Sequence, residues 1–158
     1  MTLYPYNIKK TELSASETKT FSQNQTLLDM LTDAIEDEIS DFGKYISLSE
    51  IISNKDDAEI IKSVAYDEYK HRRLFEEIYK SLTAVTPNIT EESDNSQIEN
   101  IFEEFTESFF DELEAVELYR EIMSAFENTD IRDMIFEIIT DEQSHADILN
   151  YMIAKYRK

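Results

Sequence analysis

The sequence contains no cysteine, and its 158 residues include only one glycine and two prolines. Without cysteine the chain cannot form disulfides, thiolate-bound metal sites or iron–sulfur clusters. The scarcity of glycine and proline, together with 32% charged residues, is typical of a helical protein with few turns. A chain of this length is expected to form a single domain around one core.

Basic residues are also scarce. The sequence has 15 lysines and arginines and 35 acidic residues, which gives a formal charge of −20. Such a surface repels nucleic acid and anionic membranes and attracts cations. No apolar run approaches the roughly 18 residues of a membrane-spanning helix, and residues 1–6 lack the basic and apolar regions of a secretion leader. We therefore expect a cytoplasmic protein with neither a membrane nor a nucleic acid as partner.

Both histidines of the chain lie in a five-residue motif that occurs twice, at 67–71 and at 141–145. Each copy has the pattern Asp-Glu-x-x-His, and on a helix a Glu and a His three residues apart lie on the same face. The two copies are 74 residues apart (142 − 68). The same shift relates three further pairs, which are Glu38 and Glu112, Tyr45 and Tyr119, and Asn54 and Asn128. The sequence thus contains two copies of one helical hairpin.

Four segments carry apolar residues at steps of three and four, which predicts an all-α bundle of four amphipathic helices. Residues 83–96 have no apolar period and predict a long connector that crosses along the bundle. We divide the chain into an N-terminal arm (residues 1–24) and a four-helix bundle (residues 25–158). Helix starts are predicted near Ser22 or Thr26, at Asp56 with Glu59, at Ser96 with Glu99 and at Asp130, and a left-handed helix end at Asn54.

Polar side chains interrupt all four apolar stripes at mid-height. The interrupting residues are Glu38, Glu68, His71, Glu112, Glu142 and His145. Within each hairpin they lie at equal distances from the turn, so antiparallel packing brings them to one level. Four carboxylates buried together would not stay ionised without counter-charge. Because two divalent cations balance them, +4 against −4, and neutral imidazoles supply further ligands, the pattern predicts a two-metal site.

Four further residues are predicted to surround this site: Asp67, Asp141, Tyr45 and Tyr119. An Asp that precedes a Glu ligand can accept the spare N–H of a ligand imidazole, here from the other hairpin. The two tyrosines lie two helical turns from Glu38 and Glu112. We interpret them as core aromatics, and the alternative is a hydrogen bond to the site or a role in electron transfer.

Residues 25–156 resemble the ferritin-like superfamily, and most closely its rubrerythrin-type di-iron domains. The resemblance rests on Glu38, Glu112 and the two Asp-Glu-x-x-His motifs. The resemblance implies a ferritin-like four-helix bundle with two iron ions, although these ligands also suit manganese or zinc. By the same resemblance Glu68 and Glu142 bridge the two ions. Glu38 and Glu112 are then terminal ligands, and each ion takes one histidine.

Two features differ from that family. Rubrerythrins normally add a cysteine-ligated rubredoxin domain, which this sequence lacks, so an external electron-donor protein is implied. They also carry a further Glu one turn after the third-helix ligand, where this sequence has Ala115. Asp41 holds the equivalent place in the first hairpin, and whether it substitutes is open.

The preferred functional interpretation is an enzyme, a non-haem di-iron oxidoreductase that reduces peroxide or dioxygen. The same centre is compatible with oxidation of ferrous iron in a ferritin-like storage assembly, which predicts a large cage. A third interpretation is a structural or stress-related interaction protein that retains the metal for stability. We expect a homodimer or a larger homo-oligomer.

Overall fold

In the computed structural model the described residues are 21–89 and 98–157, with side chains from residue 25 onward. Within these ranges the chain forms four α-helices: α1 (Phe21–Ile51), α2 (Lys55–Thr83), α3 (Ile101–Ser124) and α4 (Thr129–Tyr156). The start of α1 agrees with the predicted start near Ser22, and the helix extends into the segment predicted as an arm. Residues 1–20 of that segment lie outside the described residues.

The helices pack as two hairpins. Short turns join α1 to α2 and α3 to α4, so each pair is antiparallel and in contact along its length. The hairpins meet through α1 with α3 and through α2 with α4. This arrangement confirms the predicted four-helix bundle.

Buried apolar side chains form two clusters, one toward each end of the bundle. The first core cluster lies where the beginnings of α1 and α4 meet the ends of α2 and α3, and includes Phe75 and Tyr119 with ring centroids 4.8 Å apart. The second core cluster lies at the opposite end and includes Leu48, Phe105 and Leu149. Each large apolar side chain buried in this way stabilises the fold by about 1.5–3 kcal/mol. The polar interruptions of the stripes lie between the two clusters.

The connection between the hairpins runs from one end of the bundle to the other. Ile89, which follows α2, packs against the first core cluster, whereas Ile98, which precedes α3, packs against the second. The intervening residues 90–97 lie outside the described residues. The two anchor points confirm the predicted crossover.

Asparagines cap the N-termini of three helices. Asn54, Asn100 and Asn128 have extended backbones, and each side-chain oxygen accepts hydrogen bonds from the amides two and three residues later. The predicted N-caps at Asp56 and Asp130 were wrong, as was the left-handed helix end at Asn54, whose φ is −80°. Ser96 lies outside the described residues, and α3 begins at Ile101 with Asn100 as its N-cap. One Asn carbonyl satisfies two orphan amides, and Asp56 and Asp130 then lie in the first turn, where negative charge is favourable.

Replacing Asn128 with alanine is expected to lower the free energy of unfolding by about 1 kcal/mol, because the amides of Asp130 and Ile131 lose their acceptor. Urea unfolding followed by circular dichroism measures the change. Asn150→Ala is the control, since Asn150 is exposed in the interior of α4. An equal loss in both variants would contradict the capping role.

A buried carboxylate joins the start of α2 to the end of α4. Asp57 is 1% exposed, and its two oxygens accept hydrogen bonds from Lys155 Nζ at 2.7 Å and Tyr156 OH at 2.8 Å. Burial alone would raise the pKa of Asp57, but the hydrogen bonds from Lys155 and Tyr156 outweigh it and hold the pKa below the usual 3.8. The folded state therefore favours the ionised form.

Because the folded-state pKa of Asp57 is depressed, its contribution to stability is present above pH 3.8 and is lost as the pH falls through the lower folded-state value. Asp57→Asn is expected to be less stable than the wild type at pH 7, and the difference should narrow at pH 3. Urea unfolding at both pH values measures it. Asp147→Asn, which makes the same change at an exposed position in the interior of α4, should show a smaller pH-dependent difference. A constant difference for Asp57→Asn would contradict the assignment.

None of the helices in the described part of the chain is long and apolar enough to cross a membrane.

Candidate metal centre

The six side chains predicted to bind metal lie together at mid-height, between the two core clusters. Each of them is 3% exposed or less; they are Glu38, Glu68, His71, Glu112, Glu142 and His145. One Glu and one His come from each Glu-x-x-His motif of α2 and α4, and one Glu comes from each of α1 and α3. The helical period and the matched hairpins bring all six to one level, as predicted.

The two Glu-x-x-His motifs interlock across the bundle. Glu68 Oε2 lies 3.0 Å from Nδ1 of His71, and Glu68 Oε1 lies 3.1 Å from Nδ1 of His145. Glu142 repeats the pattern, with Oε2 3.0 Å from His145 Nδ1 and Oε1 2.9 Å from His71 Nδ1. Each of these carboxylates therefore presents one oxygen to each half of the site, as a carboxylate shared between two ions would.

The remaining carboxylates lie at the outer ends of the cluster. Glu38 Oε2 is 3.7 Å from His71 Nδ1, and Glu112 Oε2 is 3.7 Å from His145 Nδ1. Two groups result, and within each the donor atoms lie within 4.8 Å of one another. Position 1 comprises Glu38, Glu68, His71 and Glu142, and position 2 comprises Glu68, Glu112, Glu142 and His145.

Hydrogen bonds within the cluster cannot satisfy all of its polar atoms, whereas a pair of metal ions could. Each Nδ1 faces oxygens of three carboxylates, but it can donate at most one proton. Among the described residues, Glu68 Oε1 and Glu142 Oε1 are buried without a hydrogen-bond partner. Unpaired buried oxygens are costly, and one cation between them satisfies several at once. Carboxylate oxygen and imidazole nitrogen are suitable ligands for iron, manganese or zinc.

Burial dominates the electrostatics of the carboxylates. It raises the pKa of Glu68 well above the usual value, with repulsion from Glu142 adding to the effect, and it raises the pKa of Glu112 to about 7. For Glu142 the effect of burial is outweighed by its close contacts with the two histidines, which lower its pKa. The surrounding carboxylates likewise outweigh burial at His71 and raise its pKa. Protons thus balance part of the buried charge, and metal binding has to displace them.

Each imidazole meets an Asp from the opposite hairpin through its other nitrogen. His71 Nε2 lies 3.2 Å from Asp141 Oδ2, within hydrogen-bond distance, and His145 Nε2 lies 3.5 Å from Asp67 Oδ2. The structure places both aspartates where the motif predicts them. Their effect on the imidazole tautomer stays a prediction.

The two tyrosines are buried and also contact the site. Tyr119 OH donates to Glu38 Oε1 at 2.6 Å, and Tyr45 OH donates to Glu112 Oε1. Each bond joins α1 to α3. The interpretation as core aromatics was incomplete, because both hydroxyls hold the outer carboxylates in place. A role in electron transfer stays a prediction.

Asp41 belongs to neither metal position. Its Oδ1 lies 2.7 Å from Lys44 Nζ, and burial raises its pKa to about 6. Its role in place of the family's additional Glu stays a prediction. Sequence reasoning did not identify Lys70 as a neighbour of the site, although Lys70 Nζ lies 3.0 Å from Asp141 Oδ2.

Comparisons with known proteins agree with this geometry. Residues 29–99 and 103–158 match the family model described as Rubrerythrin. The chain is 27% identical over 128 residues to an uncharacterized protein of Bacillus subtilis (strain 168), YhjR, across 80% of this chain and 86% of that protein. It also shares its fold with a hypothetical protein from Pyrococcus furiosus, with a TM-score of 0.74 at 20% identity, over 84% of this chain and 90% of the other. The chain therefore belongs to the rubrerythrin family, with a buried carboxylate and histidine group that could hold metal.

Proposed function

We propose that this protein is a non-haem di-iron oxidoreductase that reduces peroxide or dioxygen. The observation that carries the proposal is the pair of bridging carboxylates. Glu68 and Glu142 each direct one oxygen toward His71 and the other toward His145, and one oxygen of each is buried without a hydrogen-bond partner in the described part of the chain. Membership of the rubrerythrin family supports the same assignment.

The residues of the chain have distinct roles in this proposal. Glu38 and His71 would hold one ion, Glu112 and His145 the other, and Glu68 and Glu142 both. Two bound ferrous ions would supply two electrons, which together with two protons from solvent reduce one hydrogen peroxide to two waters while both ions become ferric.

The surrounding chain orients this centre and keeps it dry. The hydroxyls of Tyr45 and Tyr119 fix the outer carboxylates, and the two core clusters exclude water from above and below. The proposal includes an external protein as the electron donor, since the 158 residues contain no cysteine that could bind a rubredoxin-type iron. Native assembly as a homodimer or larger oligomer remains part of the proposal.

The test combines elemental analysis with optical spectroscopy on protein purified without added metal. We expect about two irons per chain, with ferric absorption that a reductant bleaches and one equivalent of hydrogen peroxide restores. Bound zinc, or ferrous protein whose spectrum peroxide does not change, would contradict the redox proposal. A large cage on size-exclusion chromatography would instead favour iron storage.

A further inference from the structure

The two halves of the site are related by the 74-residue repeat, but their outer contacts differ. At position 1, His71 Nε2 lies 3.2 Å from Asp141 Oδ2. Lys70 Nζ holds that same oxygen at 3.0 Å and also contacts Glu137 Oε1 at 2.7 Å. We call Lys70, Asp141 and Glu137 the lysine clamp. It fixes the aspartate that orients the His71 ring.

In the described ranges, position 2 has no such clamp. The repeat puts Ser144 where Lys70 would be (70 + 74) and Ser63 where Glu137 would be (137 − 74). No lysine or arginine among the described residues forms an ion pair with Asp67. Its side chain is 38% exposed and lies 3.5 Å from His145 Nε2, which lacks a hydrogen-bond partner there. The ring of His145 is therefore less firmly oriented than that of His71.

The contacts between α1 and α3 also differ between the two positions, with polar side chains near position 2 and apolar ones near position 1. Near Glu112, the outer carboxylate of position 2, lie the ion pair of Asp41 with Lys44 and the buried Ser108. Ser108 is one helical turn before Glu112, and its Oγ has no hydrogen-bond partner in the described residues. The equivalent places around position 1 are apolar: Ala115, Leu118 and Ala34. All three belong to or pack against the first core cluster, so position 1 is the drier side.

We propose that the two metal positions are inequivalent, with a tightly held ion at position 1 and a weaker, exchangeable ion at position 2. This inference rests on the two-metal site of the proposed function. Partners that orient a ligand imidazole typically change metal affinity by about 10- to 100-fold when they are removed. We therefore expect the affinities of the two positions to differ by about tenfold or more.

Calorimetric titration of the metal-free protein with manganese(II), with cobalt(II) absorption as a second readout, tests the inequivalence. Two steps of one ion each are expected. A matched pair of variants assigns them, because Glu38 and Glu112 are equivalent by the repeat and both changes remove one charge. Glu112→Gln should keep one tight ion, whereas Glu38→Gln should keep only a weak one.

Substitutions of Lys70 and Ser144, measured by the same titration, test the contribution of the lysine clamp separately. Lys70→Gln should weaken the tighter step about tenfold and leave the weaker step unchanged, and Ser144→Lys should strengthen the weaker step by giving Asp67 a partner. Lys62→Gln, elsewhere on α2, is the control and should change neither step.

The outcomes separate the two proposals. A wild-type protein that binds two ions with equal affinity, and equal losses in Glu38→Gln and Glu112→Gln, would overturn the inequivalence and leave the two-metal site intact. A folded wild-type protein that binds neither manganese(II) nor cobalt(II) would overturn the two-metal site itself, and the inequivalence with it.

Discussion

Replacement of Glu142 by glutamine is expected to lower the iron content from about two ions per chain to less than one. Glu142 presents Oε2 to His145 at 3.0 Å and Oε1 to His71 at 2.9 Å, so the substitution removes a ligand from both positions. Glutamine also removes one of four negative charges and replaces an oxygen with an NH₂ group that cannot bind a cation. Elemental analysis after reconstitution with ferrous iron and dialysis measures the loss.

The control for this variant is Asp147→Asn, which makes the same charge change at an exposed position of the same helix. It should retain the wild-type metal content. Circular dichroism of both variants verifies that the helices are intact. Equal metal content in Glu142→Gln and Asp147→Asn would show that the buried cluster does not hold the ions.

Removal of the metal is expected to lower the thermal midpoint by about 10 °C. A ligand present at about 1,000 times its dissociation constant stabilises the native state by about 4 kcal/mol, and a domain of this size changes its midpoint by roughly 2–4 °C per kcal/mol. The four buried carboxylates also lose their counter-charge, so protons must replace the ions. Scanning calorimetry with and without a chelator measures the shift.

Glu142→Gln provides the comparison for this experiment. Because it should already lack the ions, the chelator should change its midpoint by no more than a small fraction of the wild-type shift. An unchanged wild-type midpoint, in protein that elemental analysis shows to have lost its metal, would mean that the ions contribute nothing to stability.

The bundle and its buried cluster were predictable because they follow from regular geometry. A Glu and a His three apart share a helix face, and residues at equal distances from a turn meet at one level. These two rules account for the burial of Glu68, His71 and their repeats. The choice of Glu38 among several nearby acids followed from its place on the apolar stripe, and the structure buries it to 2% exposure.

Features that depend on tertiary contacts were not predictable in the same way. Asp56 with Glu59 fits the local pattern of a helix start, but Asn54 takes the role because its extended backbone aligns its side chain with two amides. The lysine clamp depends on the relative positions of α2 and α4, which sequence spacing does not specify. The hydrogen bonds of Tyr45 and Tyr119 depend in the same way on the distance between α1 and α3.

The crossover between α2 and α3 joins the two hairpins, and each candidate metal position draws residues from both of them. The molecule can therefore be regarded as a fused dimer in which each hairpin acts as one protomer. Bound ions, coordinated by side chains of both hairpins, would hold these protomers together. The fusion also allows the two halves to diverge, so that one carries Lys70 where the other carries Ser144, whereas a dimer of identical hairpins would have the same residue at both places.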